Sequence, residues 1–503
     1  MHSNILYINP DNRDNQITKS NPVKDSFLRD LKLDLILMAI SMDDPYLKTL
    51  YQKLFLHPSN DIKEIKMRQE ILSEALHYQQ FFRNIYLLST ESIAKINNYG
   101  DTSHPVYDKI IPEAKKILTQ CDIAFINLSH LEALLQVIAD CTASFSSSTL
   151  NEFIRQTQKK YTKTFLHETS EILNRLMELK GLSEIIIGGH PGLGLKLREV
   201  QLHTISSFHK AMDKNKSKKS EKADAVILLD NPVLINNSQE IINSSLVWIL
   251  KTLSDFNRDL HDFFETVQEM FGFYTGAINL YLNITKADET ICYPEFLEEK
   301  GYNFSSLKDV GLVLKTQGPV VGTSLSFSDK NLCMITGANQ GGKTTFLRSI
   351  GLAQLMAQCG LFVTASTFSC YLYNNIFTHF PDEEDRELRT GLLEQELQRL
   401  HTIIPLLNKD SLLLMNESFS TTTEYDASYL AEEILAAFRS NGILTFFVTH
   451  LFQYAHKLYD EAPKDCIFLR AGRAADGSRS FLIEYGEPVK SSFALDLYHQ
   501  ILN

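Results

Sequence analysis

The chain has 503 residues, 44% of them apolar and 22% charged, with a formal net charge of −12. That is the composition of a globular protein rather than a disordered or fibrous one, and roughly one domain per 150 residues gives about three domains. The acidic balance argues against indiscriminate coating of nucleic acid, which needs clustered Lys and Arg to neutralise phosphates, but leaves a local basic channel open.

The N-terminus, Met1 to Asn21, is polar and lacks the basic start and apolar stretch of a secretion signal. Apolar runs such as Leu35 to Ile40 are far shorter than the ~20 residues a membrane helix needs, so a cytoplasmic protein with no membrane partner is expected. The seven cysteines are scattered and never in C-x-x-C spacing, which speaks for reduced thiols and against a disulfide framework or a zinc site.

The first 290 or so residues read mainly as helix, with apolar positions recurring at three and four and few Gly or Pro. The clearest case runs from Ser238 to about Leu282. There Ile242, Leu246, Ile249, Leu253, Phe256, Leu260, Phe263, Val267, Met270, Tyr274, Ala277 and Tyr281 make one stripe on a helix on the order of 60 Å long, a lever or strut. Leu150 to Lys180 looks similar, and an antiparallel pair would bury both stripes. Between them, Ile185 to Ile187, the glycine-rich Gly188 to Gly194 and Ala225 to Leu229 read as short strands and turns of a small tip. This tip carries Lys210, Lys214, Lys216, Lys218, Lys219 and Lys222, interrupted by Asp213 and Glu221. The cluster reads either as a solvated loop or as a phosphate contact, the DNA-facing candidates being Lys214, Lys216, Lys218 and Lys219.

From about Asn303, β-rich runs alternate with helices, the signature of a parallel α/β sheet. Leu332 to Thr336 is a short apolar strand. It leads into Gly337-Ala338-Asn339-Gln340-Gly341-Gly342-Lys343-Thr344-Thr345 and a helical pattern from Phe346 to Gln358. This is G-x-x-x-x-G-K-[ST] in the context it needs. Glycines let backbone N–H groups curl around phosphates, Lys343 adds a positive charge, and Thr344 can ligate Mg²⁺. Ser411 to Met415 is a buried-strand run ending in Asn416-Glu417, where Asn416 is placed to hold Mg²⁺ and Glu417 to serve as general base. A third apolar strand, Gly442 to Val448, ends in Thr449-His450, and His450 reads as a γ-phosphate sensor. ATP and Mg²⁺ are the expected ligands.

At these residues the chain resembles the MutS family. Thr336 to Thr345 is similar to that family's T-G-P-N-M-G-G-K-S-T. Asn416-Glu417-Ser-Phe-Ser-Thr-Thr-Thr-Glu-Tyr-Asp426-Ala427 follows its D-E-x-G-x-G-T-S-T-x-D-G without a gap, and Thr449-His450 matches its T-H. Tyr485 to Asp496 resembles its closing segment, and Phe55-Leu-His-Pro58 through Arg68-Gln-Glu70 the start of its helical core. The resemblance implies an α/β P-loop ATPase domain over 291–503, a helical core over 1–120, and levers over 121–290 with the mixed tip at about 183–235. It also implies a homodimer with ATP sites at the interface and a clamp on DNA, in repair or recombination.

Three departures bear on function. Asn416 stands where the family has Asp, which puts Mg²⁺ affinity and turnover in question and suggests slow hydrolysis. Arg389 to Leu397 fits the family's S-T-F-containing stretch poorly. The helical core begins within about 60 residues and the chain ends directly after the ATPase, so neither a mismatch-reading domain nor a Smr-type nuclease is expected. Phe263-Phe-Glu265 and Phe296-Leu-Glu298 spell F-x-E but read as structural. Branched or otherwise structured DNA is therefore the expected partner; the alternative is an ATP-switched factor gripping a protein or ribonucleoprotein, which the acidic balance favours.

Overall fold

The computed structural model describes residues 4–8, 22–99, 112–142, 144–177, 186–191, 197–203, 232–381, 391–473 and 479–489. The Lys210 to Lys222 cluster and the Ala225 to Leu229 run lie outside them, as does most of the Tyr485 to Asp496 segment.

The N-terminal part is helical: α1 (Pro22–Asp30), α2 (Leu33–Ser41), α3 (Pro45–Leu56), α4 (Ile62–His77), α5 (Gln79–Tyr99), α6 (Pro112–Asp140), α7 (Ser148–Lys160) and α8 (Lys163–Met177). Several begin on polar caps; the Asp44 carboxylate accepts the Tyr46 and Leu47 N–H groups ahead of α3, and Asp61 and Ser147 do the same for α4 and α7. An antiparallel ribbon, β1 (Ile186–Pro191) with β2 (Leu197–His203), precedes the 55-residue α9 (Pro232–Lys286). At 1.5 Å per residue α9 is on the order of 80 Å long.

The stripe expected on this helix faces inward: Leu246, Leu253, Leu260, Phe263, Val267, Met270, Tyr274 and Ala277 are all buried. Phe153 packs on Phe271, Tyr161 on Phe263 and Phe165 on Phe256, so the 150–180 segment does run antiparallel to α9. It is not one helix, however. It breaks after Lys160, and Thr162 Oγ1 accepts the Phe165 N–H to restart the chain as α8. Further flanks are supplied by α5 and α6, through Arg83 on Asn279, Thr90 on Gln268 and Asn127 on Asn257. Within α6, which runs through position 120, residues 115–140 are long and apolar enough to cross a membrane. Their apolar positions Leu118, Cys121, Leu128, Leu131 and Leu134 are buried inside the protein, so the apolar stretch serves the core. Phe263 lies in the core and Phe296 is packed against it, as structural residues should.

The C-terminal part continues with β3 (Glu295–Leu297), β4 (Gly301–Leu307), α10 (Val310–Thr316), β5 (Thr323–Ser328), β6 (Leu332–Thr336), α11 (Lys343–Gln358), β7 (Thr367–Tyr371) and β8 (Asn375–His379). Then come α12 (Leu392–Ile403), β9 (Ser411–Asn416), α13 (Glu424–Ser440), β10 (Leu444–Val448), α14 (Phe452–Glu461), β11 (Cys466–Arg473) and β12 (Arg479–Tyr485). The main sheet has the order β12-β11-β6-β10-β9-β8, parallel except for β12 at one edge. A smaller sheet has the order β3-β7-β4-β5.

The central parallel strands β6, β10 and β9 are buried along their whole length and mostly apolar because both faces are covered. Cys333, Ile335, Leu412, Leu414 and Phe446 join a core that extends without interruption into the helical part, from Ile5 to Ile483. Leu332, Met334, Leu413, Met415 and Phe447 face a second core under α13 and α14. Helical region and sheet are therefore welded along one face.

Candidate functional site

In a parallel sheet the segments leaving the carboxyl ends of adjacent strands converge, and ligands bind there. The adjacent strands β6, β10 and β9 deliver the Gly337–Thr345 loop, Thr449-His450 and Asn416-Glu417 to one edge. All three stretches singled out in the sequence thus meet.

The loop is shaped by its glycines. Gly337 has φ 122° and Gly342 φ 94°, both left-handed, and a Cβ on Gly337 or Gly341 would come within 2.9 Å of the Ala471 Cβ. The backbone can thus approach β11 only without side chains. Lys343 opens α11 and is buried. Its Nζ donates to the carbonyls of Gly337 at 2.8 Å and Ala338 at 3.1 Å, drawing the loop around its own ammonium. Burial lowers its affinity for the proton, which the nearby Glu417 carboxylate partly offsets. Asn339 and Gln340 are exposed at the crest of the loop, Gln340 with φ 58°. Thr344 Oγ1 donates to Asn416 Oδ1 at 3.0 Å, joining two residues 72 positions apart.

Glu417 has φ 49°, an uncommon value for a residue with a side chain. The conformation is held from several sides. The Glu417 N–H donates to the Val448 carbonyl, and His450 Nε2 stands 2.8 Å from Glu417 Oε1. That hydrogen bond holds the Glu417 carboxyl below the usual glutamate range. Two residues beyond, Phe419 is again left-handed, and its N–H donates to the Glu396 carboxylate at 2.6 Å. Ser418 Oγ lies 2.7 Å from Nδ1 of the buried His379. His379 and Glu396 thus pin the loop carrying Glu417. Sequence reading had no purchase on this, since β8 and α12 reach the loop only through the tertiary fold.

Gln340, Gly342, Lys343, Thr344, Thr345 and Glu417 line a cleft of about 470 Å³; Asn416 and His450 are not part of its lining and are joined to it through Thr344 and Glu417. Its opposite wall was not anticipated: Asp309, Leu312, Thr316, Val320 and Val321 come from α10 and the segment after it, and Phe481 from β12. Asp309 caps α10 by accepting the Leu312 N–H, and burial pushes its carboxyl upward. Arg479 of β12 donates to Gln340 Oε1 at 2.9 Å, tying the hairpin to the loop. The Asp before the apolar Val310 to Leu314 run was the one available signal, a helix N-cap without known function.

The arrangement fits a nucleotide triphosphate: a glycine cradle, a buried ammonium and a helix N-terminus lie on one side of the cleft. It also offers oxygens for Mg²⁺. Ligand oxygens of an Mg²⁺ octahedron stand about 2.9 Å apart, since each lies about 2.1 Å from the ion. Thr344 Oγ1 and Asn416 Oδ1 have that spacing, but both are neutral. Among the described residues, no group of three or more His, Cys, Asp or Glu could hold a metal by itself.

Comparison with known proteins agrees with the two halves of the fold. Residues 60–287 match the MutS2 N-terminal domain and residues 333–477 match MutS domain V. An Endonuclease MutS2 of Streptococcus sanguinis is 25% identical over 352 residues, 66% of this chain and 42% of the relative. An Endonuclease MutS2 of Streptococcus mutans is 35% identical over 123 residues, 24% of this chain and 16% of the relative. A DNA mismatch repair protein MutS of Clostridium beijerinckii is 34% identical over 131 residues, 25% of this chain and 14% of the relative. The matches span less than half the length of these curated relatives.

Proposed function

Given that the chain belongs to the MutS family, we propose that it is an ATP-dependent DNA-binding clamp that acts as a homodimer on branched or otherwise structured DNA, in repair or recombination. The observation that carries the ATPase part is the convergence of Lys343, Thr344 and Glu417 on one glycine-cradled cleft, with Asn416 bonded to Thr344 and His450 to Glu417.

In this reading the loop from Gly337 to Thr345 holds the phosphates through backbone N–H groups, and Lys343 balances their charge. Thr344 and Asn416 hold Mg²⁺, which when bound draws charge from the phosphate oxygens. Glu417 takes the proton of the attacking water on Oε2, the oxygen that His450 leaves available. His450 fixes the other oxygen, so a γ-phosphate that competes for Nε2 would reorient the base; that is a physical content for the sensor role. The 55-residue α9, its base in the core shared with the sheet, is the lever that carries the nucleotide state outward.

The net charge of −12 supports a second reading, in which the gripped partner is a protein or ribonucleoprotein. A gel-shift panel with duplex, mismatched, branched and single-stranded DNA, with and without ATP, separates the two. Retention of a branched form, modulated by ATP, supports the clamp. No shift of any form at low salt refutes it and leaves the second reading.

A further inference from the structure

The charge inventory of the cleft bears on which form of the nucleotide it takes. Mg²⁺ is ordinarily held by one or two protein carboxylates together with the phosphates, so its removal both breaks that bridge and leaves phosphate facing carboxylate. Here the protein oxygens at octahedral-edge spacing are a hydroxyl and an amide. Asn416 is buried at the end of β9. Of the two carboxylates lining the cleft, Asp309 is turned to the N-terminus of α10, and Glu417 is bonded to His450 through one oxygen and offset by the nearby Lys343 ammonium. The ammonium of Lys343 is a fixed positive charge that needs no metal to be in place. An amide also brings N–H donors that a carboxylate lacks.

Building on the ATP-binding reading above, we infer that this cleft binds metal-free ATP nearly as well as Mg·ATP, because Asn416 in place of a carboxylate removes an anionic anchor for Mg²⁺ beside Thr344 and the repulsion that a carboxylate there would add. Nucleotide occupancy is then uncoupled from Mg²⁺, while hydrolysis is not. The chain would load and hold ATP without Mg²⁺, where a carboxylate at position 416 would weaken binding about tenfold.

The test uses the full chain and a fluorescent ATP analogue, titrated in excess Mg²⁺ and in EDTA, for wild type, Asn416→Asp and Lys343→Ala. Wild-type Kd is expected to differ by less than about threefold between the two conditions. In Asn416→Asp the EDTA affinity should fall about tenfold or more, as expected for a carboxylate facing phosphate at short range, and Mg²⁺ should restore it. Lys343→Ala should lose binding in both. A wild type that loses tenfold or more in EDTA overturns the inference while leaving the ATP reading intact, as does an Asn416→Asp variant with the wild-type ratio. No wild-type binding in either condition, or full binding by Lys343→Ala, overturns the ATP reading and this inference with it. The wild-type pair of titrations decides the matter even if Asn416→Asp fails to fold.

Discussion

Arg68 offers the sharpest test of how the nucleotide cleft is joined to the helical part. Its guanidinium is buried, with Nε donating to the Leu6 carbonyl at 2.8 Å, Nη1 to the Cys359 carbonyl at 3.2 Å and Nη2 to Glu64 Oε1 at 2.7 Å. It lies over the rings of Tyr7 and Phe273, and Gly360, with φ 80°, comes so close that a Cβ there would be 2.6 Å from the Arg68 Cβ. One side chain thus ties the N-terminal segment, α4 and α9 to the end of the helix that begins at Lys343. Arg68→Met keeps much of the volume but leaves the Glu64 carboxylate buried without its partner, a loss of about 3–5 kcal/mol. Glu64→Gln combined with Arg68→Met removes that orphaned charge, so the double variant should recover part of the loss. About 1–3 kcal/mol should remain for the carbonyls of Leu6 and Cys359 left without donors. Urea unfolding followed by circular dichroism measures both, and a saturating nucleotide at about 100 times Kd should add about 2.7 kcal/mol to wild type and variants alike. An Arg68→Met loss under about 1 kcal/mol, or a double variant as unstable as the sum of the singles, would refute the assignment of Arg68 as the charged tie.

Other outcomes follow from the site. Glu417→Gln should slow ATP hydrolysis by about 10²–10⁴-fold with nucleotide affinity unchanged, measured by phosphate release beside analogue binding; wild-type turnover would remove Glu417 as the base. Because the His450 hydrogen bond lowers the Glu417 carboxyl, the pairing persists above the ordinary value of about 4.3 and is lost as pH falls through the lowered one. The acid limb of kcat/KM should therefore lie below pH of about 4.3, and His450→Ala should move it upward; an unmoved limb contradicts the pairing. Replacing Lys214, Lys216, Lys218 and Lys219 by Gln should make the log–log salt slope of DNA binding shallower by up to about 3.6, at about 0.9 per phosphate contact. An unchanged slope and affinity would make the segment a solvated connection.

What could be read from the sequence was what local physics dictates. The loop at Gly337 was legible because a tight loop between strand and helix demands glycine at particular steps, and the strand, the helix and the left-handed Gly337 and Gly342 lie where the pattern put them. The stripe on α9 was legible because side chains three and four apart share a face, and the helix extends only a few residues beyond the reading at each end. Apolar spacing carries across the break at Tyr161 because Phe153 before it and Phe165 after it both pack on α9, so the periodicity survives where the helix does not. The far wall of the cleft and the pinning of Glu417 by His379 and Glu396 were not legible. Each depends on elements brought together from distant parts of the chain, and a buried His or Glu in a helix or strand looks the same whether or not it holds a loop.

The packing also constrains how a nucleotide can move the lever. Close-packed cores have discrete arrangements and resist continuous deformation. From Met270 to Leu280 the base of α9 is buried on every side, with Tyr51 bonded to the Phe273 carbonyl and Asn279 to that of Ile40. The helix after the phosphate-facing loop is buried almost throughout and ends on Arg68, which touches Phe273. Base of lever and helix of loop therefore move as one body. The Glu417 loop is held by hydrogen bonds with His379, Glu396 and His450 and by Phe419 in the second core, and the β12 lip by Ile483 in the first core and by Arg479 on Gln340. In the proposed reading a bound phosphate meets these two edges of the cleft, and the lever moves only with the welded body as a whole.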